Sequence, residues 1–69
     1  MTQQDFDAAA AERGLSDVSF TVIGTAFGKP RVAVTYVRNE QSERAGFLGS
    51  DAEVRAMLIA YIDRMGSGA

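Results

Sequence analysis

Two β-rich stretches, Val18-Ser19-Phe20-Thr21-Val22-Ile23-Gly24-Thr25-Ala26-Phe27 and Arg31-Val32-Ala33-Val34-Thr35-Tyr36-Val37-Arg38-Asn39, are separated by Gly28-Lys29-Pro30. Branched and aromatic side chains favour the pleated backbone, and a glycine followed by a proline punctuates it, so the segment reads as an antiparallel hairpin. With Gly28-Lys29-Pro30 as the loop, Phe27 faces Arg31, Thr25 faces Ala33, Ile23 faces Thr35 and Thr21 faces Val37. Val18, Phe20, Val22, Ala26, Val32, Val34 and Tyr36 then share the other side. That side is the more apolar and is predicted to lie beneath the helices, since a slip of one residue would turn half of it to water. Gly24 falls on it too, where a missing side chain lets a helix approach closely or marks a bulge.

Working outward, Asn39 to Glu43 is polar and turn-like, and Arg44-Ala45-Gly46-Phe47-Leu48 is long enough for a short third strand at an edge. Upstream, Thr2 and Asp5 have the spacing of a helix start, Ala8 to Ala11 are strong helix formers, and Gly14 stops the helix with Leu15 folding back towards Ala10. Phe6, Ala9 and Ala10 form its thin buried side. Downstream, Ser50-Asp51-Ala52-Glu53 repeats the cap spacing and opens a second helix running to about Met65, with Gly66 as its end. Val54, Met57, Leu58, Tyr61, Ile62 and Met65 recur at three- and four-residue steps and form one apolar stripe, and Asp51 and Arg55 are spaced as a minor ion pair. Ile59 lies roughly 140 degrees around the helix from Val54, at 100 degrees per residue, and is read as exposed.

The expected fold is therefore one small α+β domain over residues 1–65. Its order is α-β-β-(β)-α, with an antiparallel two- or three-stranded sheet and both helices packed on one face; residues 66–69 are expected as a flexible tail. A chain of 69 residues buries only about 60% of its unfolded surface, which demands this kind of simple patterning.

The chain has neither cysteine nor histidine, which removes disulfides, the usual zinc ligands, the thiol nucleophile and the side chain that titrates unaided near neutral pH. Its longest apolar run, Met57 to Ile62, falls far short of the roughly 20 residues of a membrane span, and the beginning of the chain is acidic. A soluble, cytoplasmic protein is expected.

Candidate chemistry is sparse. Gly24 to Pro30 contains a glycine-lysine pair, but a phosphate-cradling loop needs four residues between its glycines and a hydroxyl after the lysine, and here there are three and then Pro30. Ser16, Ser19, Ser42 and Ser50 have no histidine to activate them, and Asp5 with Asp7, or Asp51 with Glu53, sit where helix starts favour acids. No catalytic, cofactor or metal-binding residue is assigned, and no enzymatic activity is expected.

Charge is divided unevenly. Between Gly28 and Gly46 the bases Lys29, Arg31, Arg38 and Arg44 face only Glu40 and Glu43, while the rest of the chain has three bases and seven acids. The order of elements resembles in outline the double-stranded RNA-binding domain. Those domains, however, grip phosphates with lysines where this chain has Ser50-Asp51-Ala52-Glu53, so membership is not inferred.

What is left over after the core is assigned is the outer sheet face and Ile59. Ile23, Phe27, Arg31, Ala33, Thr35, Val37, Arg38 and Ile59 are the candidate partner-binding residues. They point to a non-catalytic protein-interaction module, a small inhibitor or adaptor acting on a larger protein complex, such as a mobile-element inhibitor of a host enzyme or defence complex. The outer face or a strand edge would bind the partner, and a second copy of the chain is one candidate. The alternative is weak nucleic-acid binding by the basic hairpin.

Overall fold

A computed structural model describes residues 1–67. The order is α1 (Gln3–Glu12), β1 (Leu15–Ala26), β2 (Lys29–Arg38), β3 (Gln41–Leu48) and α2 (Asp51–Ser67). The strands form one antiparallel sheet in the order β1-β2-β3, so the third strand is present and is an edge.

Both helix starts follow from local chemistry. The Thr2 hydroxyl accepts from the Asp5 backbone N–H at 3.1 Å. In α2 the Ser50 N–H donates to Glu53 Oε1 at 3.1 Å while the Glu53 N–H donates to the Ser50 hydroxyl at 3.4 Å, a reciprocal cap that satisfies two orphan donors. Those backbone and side-chain bonds from Ser50 hold the Glu53 carboxyl below the usual range. After α1, Gly14 adopts φ +72°, and Leu15 is buried with Ala10. Helix α2 runs through Gly66, two residues beyond the expected stop, because glycine weakens a helix by about 1 kcal/mol without obliging it to end. The remaining expected tail, Gly68 and Ala69, lies outside the described residues.

The first hairpin turns differently from expectation. Its loop is Phe27-Gly28, with φ of +53° and +74°, and β2 already includes Lys29 and Pro30. Two consecutive left-handed residues match the right-handed twist of a tight hairpin, which a loop at Gly28-Lys29-Pro30 does not supply. The pairing shifts accordingly: Thr21 faces Ala33, Ser19 faces Thr35 and Thr25 faces Pro30. The expected faces survive as far as Val22, because an irregularity at Ile23, between the pairs Val22–Val32 and Gly24–Arg31, restores the parity that the two-residue loop changes; beyond it they are exchanged, so that Ala26, expected beneath the helices, pairs with outward Lys29. Gly24 pairs with outward Arg31 and so sits on the outer face, not under a helix. A second bulge spans Asp17 and Val18, between the pairs Ser16–Val37 and Ser19–Thr35, with Asp17 at φ +52°.

Val32, Val34 and Tyr36 of the central strand are buried together with Phe6, Val54, Leu58 and Ile62, and Phe20 packs at the margin of this core. Helix α1 places Phe6 edge-on to Phe20, with ring centroids 5.5 Å apart, and Arg55 of α2 lies 4.9 Å from the centroid of the Phe20 ring. Phe47 of β3 meets Tyr61 of α2 edge-on at 5.9 Å. Both helices thus cover the same face. Val22, expected inside, is on that face but 63% exposed. It stands on an edge strand past Phe20, where α1 docks.

Ile59 is not exposed. It is 7% accessible and belongs to the core. Arg55, Ile59 and Asp63 follow one another at four-residue steps on one face of α2. Arg55 Nε donates to Gln3 Oε1 at 2.8 Å, and Arg13 clamps Asp63 at 2.6 and 3.0 Å, so this face is turned to α1. The buried arc of α2 is wide because it meets both the sheet and α1. Arg55 accordingly serves Gln3 and Phe20 in place of the expected pair with Asp51.

Candidate functional site

Pleat alternation sets the outer face. Since Val32, Val34 and Tyr36 point inwards, Arg31, Ala33, Thr35 and Val37 point outwards, and their β3 partners Leu48, Gly46, Arg44 and Ser42 accompany them. Arg31, Thr35 and Arg44 are exposed, Val37 and Leu48 are half-buried, and Ala33 is buried between Thr21 on β1 and Gly46 on β3.

At the turn end of the sheet the surface becomes apolar. Phe27 is 94% exposed and Ile23 54% exposed. Together with Ala26, Arg31, Gly46 and Leu48, and with Val32 and Phe47 of the inner face, they border a shallow depression of about 460 Å³ at this end of the sheet, to which no helix contributes a side chain. Another hollow, about 420 Å³, follows the seam where α1 packs on β1 and is lined by core residues such as Phe6, Leu15 and Phe20.

The backbone makes Phe27 unusual. The first position of the second hairpin turn, between β2 and β3, is Asn39 at φ +54°, a residue that tolerates the left-handed region well. Phe27 adopts the same conformation without a short polar side chain to ease it. A strained backbone and a solvent-exposed aromatic ring thus coincide at this one residue.

Of the residues singled out from the sequence, Ile23, Phe27, Arg31, Ala33, Thr35 and Val37 lie together on the outer face and its apex. Ile59 is removed by its burial against α1. Arg38 is also removed: it lies on the helix-covered side at the opposite end of the sheet. There its Nη2 contacts Glu43 Oε2 at 3.4 Å, and the Tyr36 hydroxyl donates to Glu43 Oε1 at 2.8 Å. Burial first, and then that bond to a carboxylate, push the Tyr36 hydroxyl up to about 12. Arg38 Nε is buried there without a hydrogen-bond partner.

Arg44 and Leu48 join the outer face without having been anticipated there, while Val22 is exposed on the helix-covered side. Arg44-Ala45-Gly46-Phe47-Leu48 does alternate polar and apolar residues, and that period marks Arg44, Gly46 and Leu48 as one face once Phe47 is placed inside. The acidic pairs have local roles: Asp7 Oδ1 accepts from Gln3 Nε2 at 2.7 Å, and Glu53 closes its cap. Among the described residues no helix is long and apolar enough to cross a membrane. Compared with family models, curated proteins and solved structures, the chain has no match in any of the three.

Proposed function

We propose that this domain is a non-catalytic protein-interaction module that docks through its outer sheet face and the apex of the β1–β2 hairpin. Its role is that of a small inhibitor or adaptor acting on a larger protein assembly; a mobile-element inhibitor of a host enzyme or defence complex is one instance of that class.

The observation that carries this reading is Phe27: an aromatic ring 94% exposed, at φ +53°, bordering the same depression as exposed Ile23. Large rigid rings at the centre of an apolar patch supply much of the energy of protein interfaces. The bulged margin of β1 is a poor template for an added strand, which favours the face over that edge. Nucleic-acid binding is served less well, because Arg38 is engaged by Glu43 and only Lys29, Arg31 and Arg44 are left to meet phosphates.

A photo-crosslinking phenylalanine analogue at position 27, expressed in the native host, tests this directly. One protein species is expected to crosslink at position 27 and not when the analogue replaces exposed Gln4 on α1. Equal crosslinking from both positions, or recovery of nucleic acid alone, overturns the reading.

A further inference from the structure

We infer that the outer face receives an extended acidic protein segment, with two carboxylates four residues apart meeting Arg31 and Arg44 and a large apolar side chain between them resting over Ala33 and Gly46. This rests on the docking reading above and names the chemistry of its partner.

Charge is the first argument. Arg31 and Arg44 point from the same face, both are exposed, and neither has an ion-pair partner among the described residues. No acidic residue occupies an outward position on β2 or β3; Glu43 faces the other side with Tyr36. A face with cations and no acids, on a chain of net charge −2, is complementary to carboxylates.

Spacing is the second. Arg44 sits beside Thr35, four residues along β2 from Arg31, so the Cα atoms that carry the two arginine side chains are offset by roughly 13 Å along the strand direction. An extended peptide running parallel to β2 repeats with the same rise, and its first and fifth side chains fall on the same side. The third then lies midway, above the pair Ala33–Gly46. That floor is low by choice of residue. Gly46 lies in a strand without a left-handed φ, and a Cβ added to it would meet nothing within 4 Å, so the fold itself does not require glycine there. Glycine weakens a strand, and its value at this place is the close approach it allows from above.

The same charges argue against other occupants. A second copy related by a twofold axis would bring Arg31 and Arg44 against their own kind with no carboxylate opposite. A nucleic acid would find Arg31, Arg44 and a Lys29 already drawn to Glu53, too few cations for firm binding at physiological salt.

The test is to pan a random dodecapeptide display library on the full chain and on two variants, Arg31→Glu/Arg44→Glu and Phe27→Asp, each first shown to fold by circular dichroism. Arg31→Ala/Arg44→Ala stands in if the reversal disturbs folding. The native chain is expected to enrich peptides with Asp or Glu at the first and fifth positions of a window and a large apolar residue at the third. The double reversal is expected to enrich Lys or Arg at those two positions, and to bind the best acidic peptide at least about tenfold more weakly. Enrichment of apolar peptides without acids, lost in Phe27→Asp, would overturn the acidic partner and leave the docking reading standing. No enrichment at all would overturn both. Tighter binding of a labelled oligo-uridine than of the best peptide at physiological salt, or a dimer in light scattering that the double reversal dissolves, would assign the face to another occupant.

Discussion

Arg13, the residue that closes α1, grips Asp63 of α2 with two nitrogens, Nε at 2.6 Å and Nη2 at 3.0 Å, while its Nη1 donates back to the Ala9 carbonyl at 2.8 Å. The guanidinium fork thus ties the end of one helix to the face of the other. It also holds the Asp63 carboxyl below its usual value of 3.8, the direct hydrogen bond being the main cause.

A carboxyl held low in the folded state stabilises the fold above its unfolded value and loses that contribution as pH falls through the folded one. Urea midpoints are therefore expected to decline below about pH 4, and Asp63→Asn to lower the neutral midpoint while flattening the acid decline. An unchanged acid limb in the variant would show that the clamp contributes nothing to the coupling of the helices.

Tyr36 works in the opposite pH range. Its hydroxyl is raised in the folded state, so the neutral form stabilises the fold fully below about pH 10 and this is lost as pH rises towards about 12. Tyr36→Phe should cost roughly 1–2 kcal/mol at neutral pH through the lost bond to Glu43, and should remove the part of the alkaline decline due to this group. Denaturant titrations at neutral and alkaline pH check both.

The two isoleucines among the candidate partner-binding residues should behave differently. Ile59→Ala, in the core, is expected to cost about 2–4 kcal/mol, whereas Ile23→Asp at the exposed bulge should change stability by less than about 1 kcal/mol. Thermal and urea unfolding distinguish them; similar losses for both would return Ile23 to the interior.

Phe27→Asn is expected to stabilise the domain by about 0.5–1 kcal/mol, because asparagine accepts the left-handed turn that the aromatic residue occupies under strain. The same change should weaken partner binding. A variant that loses stability as well as binding would mean that the ring supports the fold.

The parts of this fold legible in the sequence are those decided locally. Thr2 with Asp5, and Ser50 with Glu53, cap helices by bonds spanning three residues, and Val32, Val34 and Tyr36 declare the inner face by alternation alone. What was illegible depends on distant partners. The loop moved to Phe27-Gly28 although phenylalanine has no local preference for that conformation, and Ile59 was hidden because α1, more than forty residues away in the chain, lies against it. Val22 has the same pattern as Val32 and a different fate, since it stands on an edge strand beyond the reach of α1. The docking surface was half legible for the same reason: its β2 residues follow from alternation, while Arg44, Gly46 and Leu48 required the pairing with β3.

The two bulges of β1 leave only Ser19 to Val22 as an unbroken run of pairing between them. So short a margin cannot nucleate cross-β stacking, even though the neighbouring apex displays phenylalanine, isoleucine and valine in water. Irregularity in that one strand sets a sticky tip beside an edge that gives another chain little to grow on.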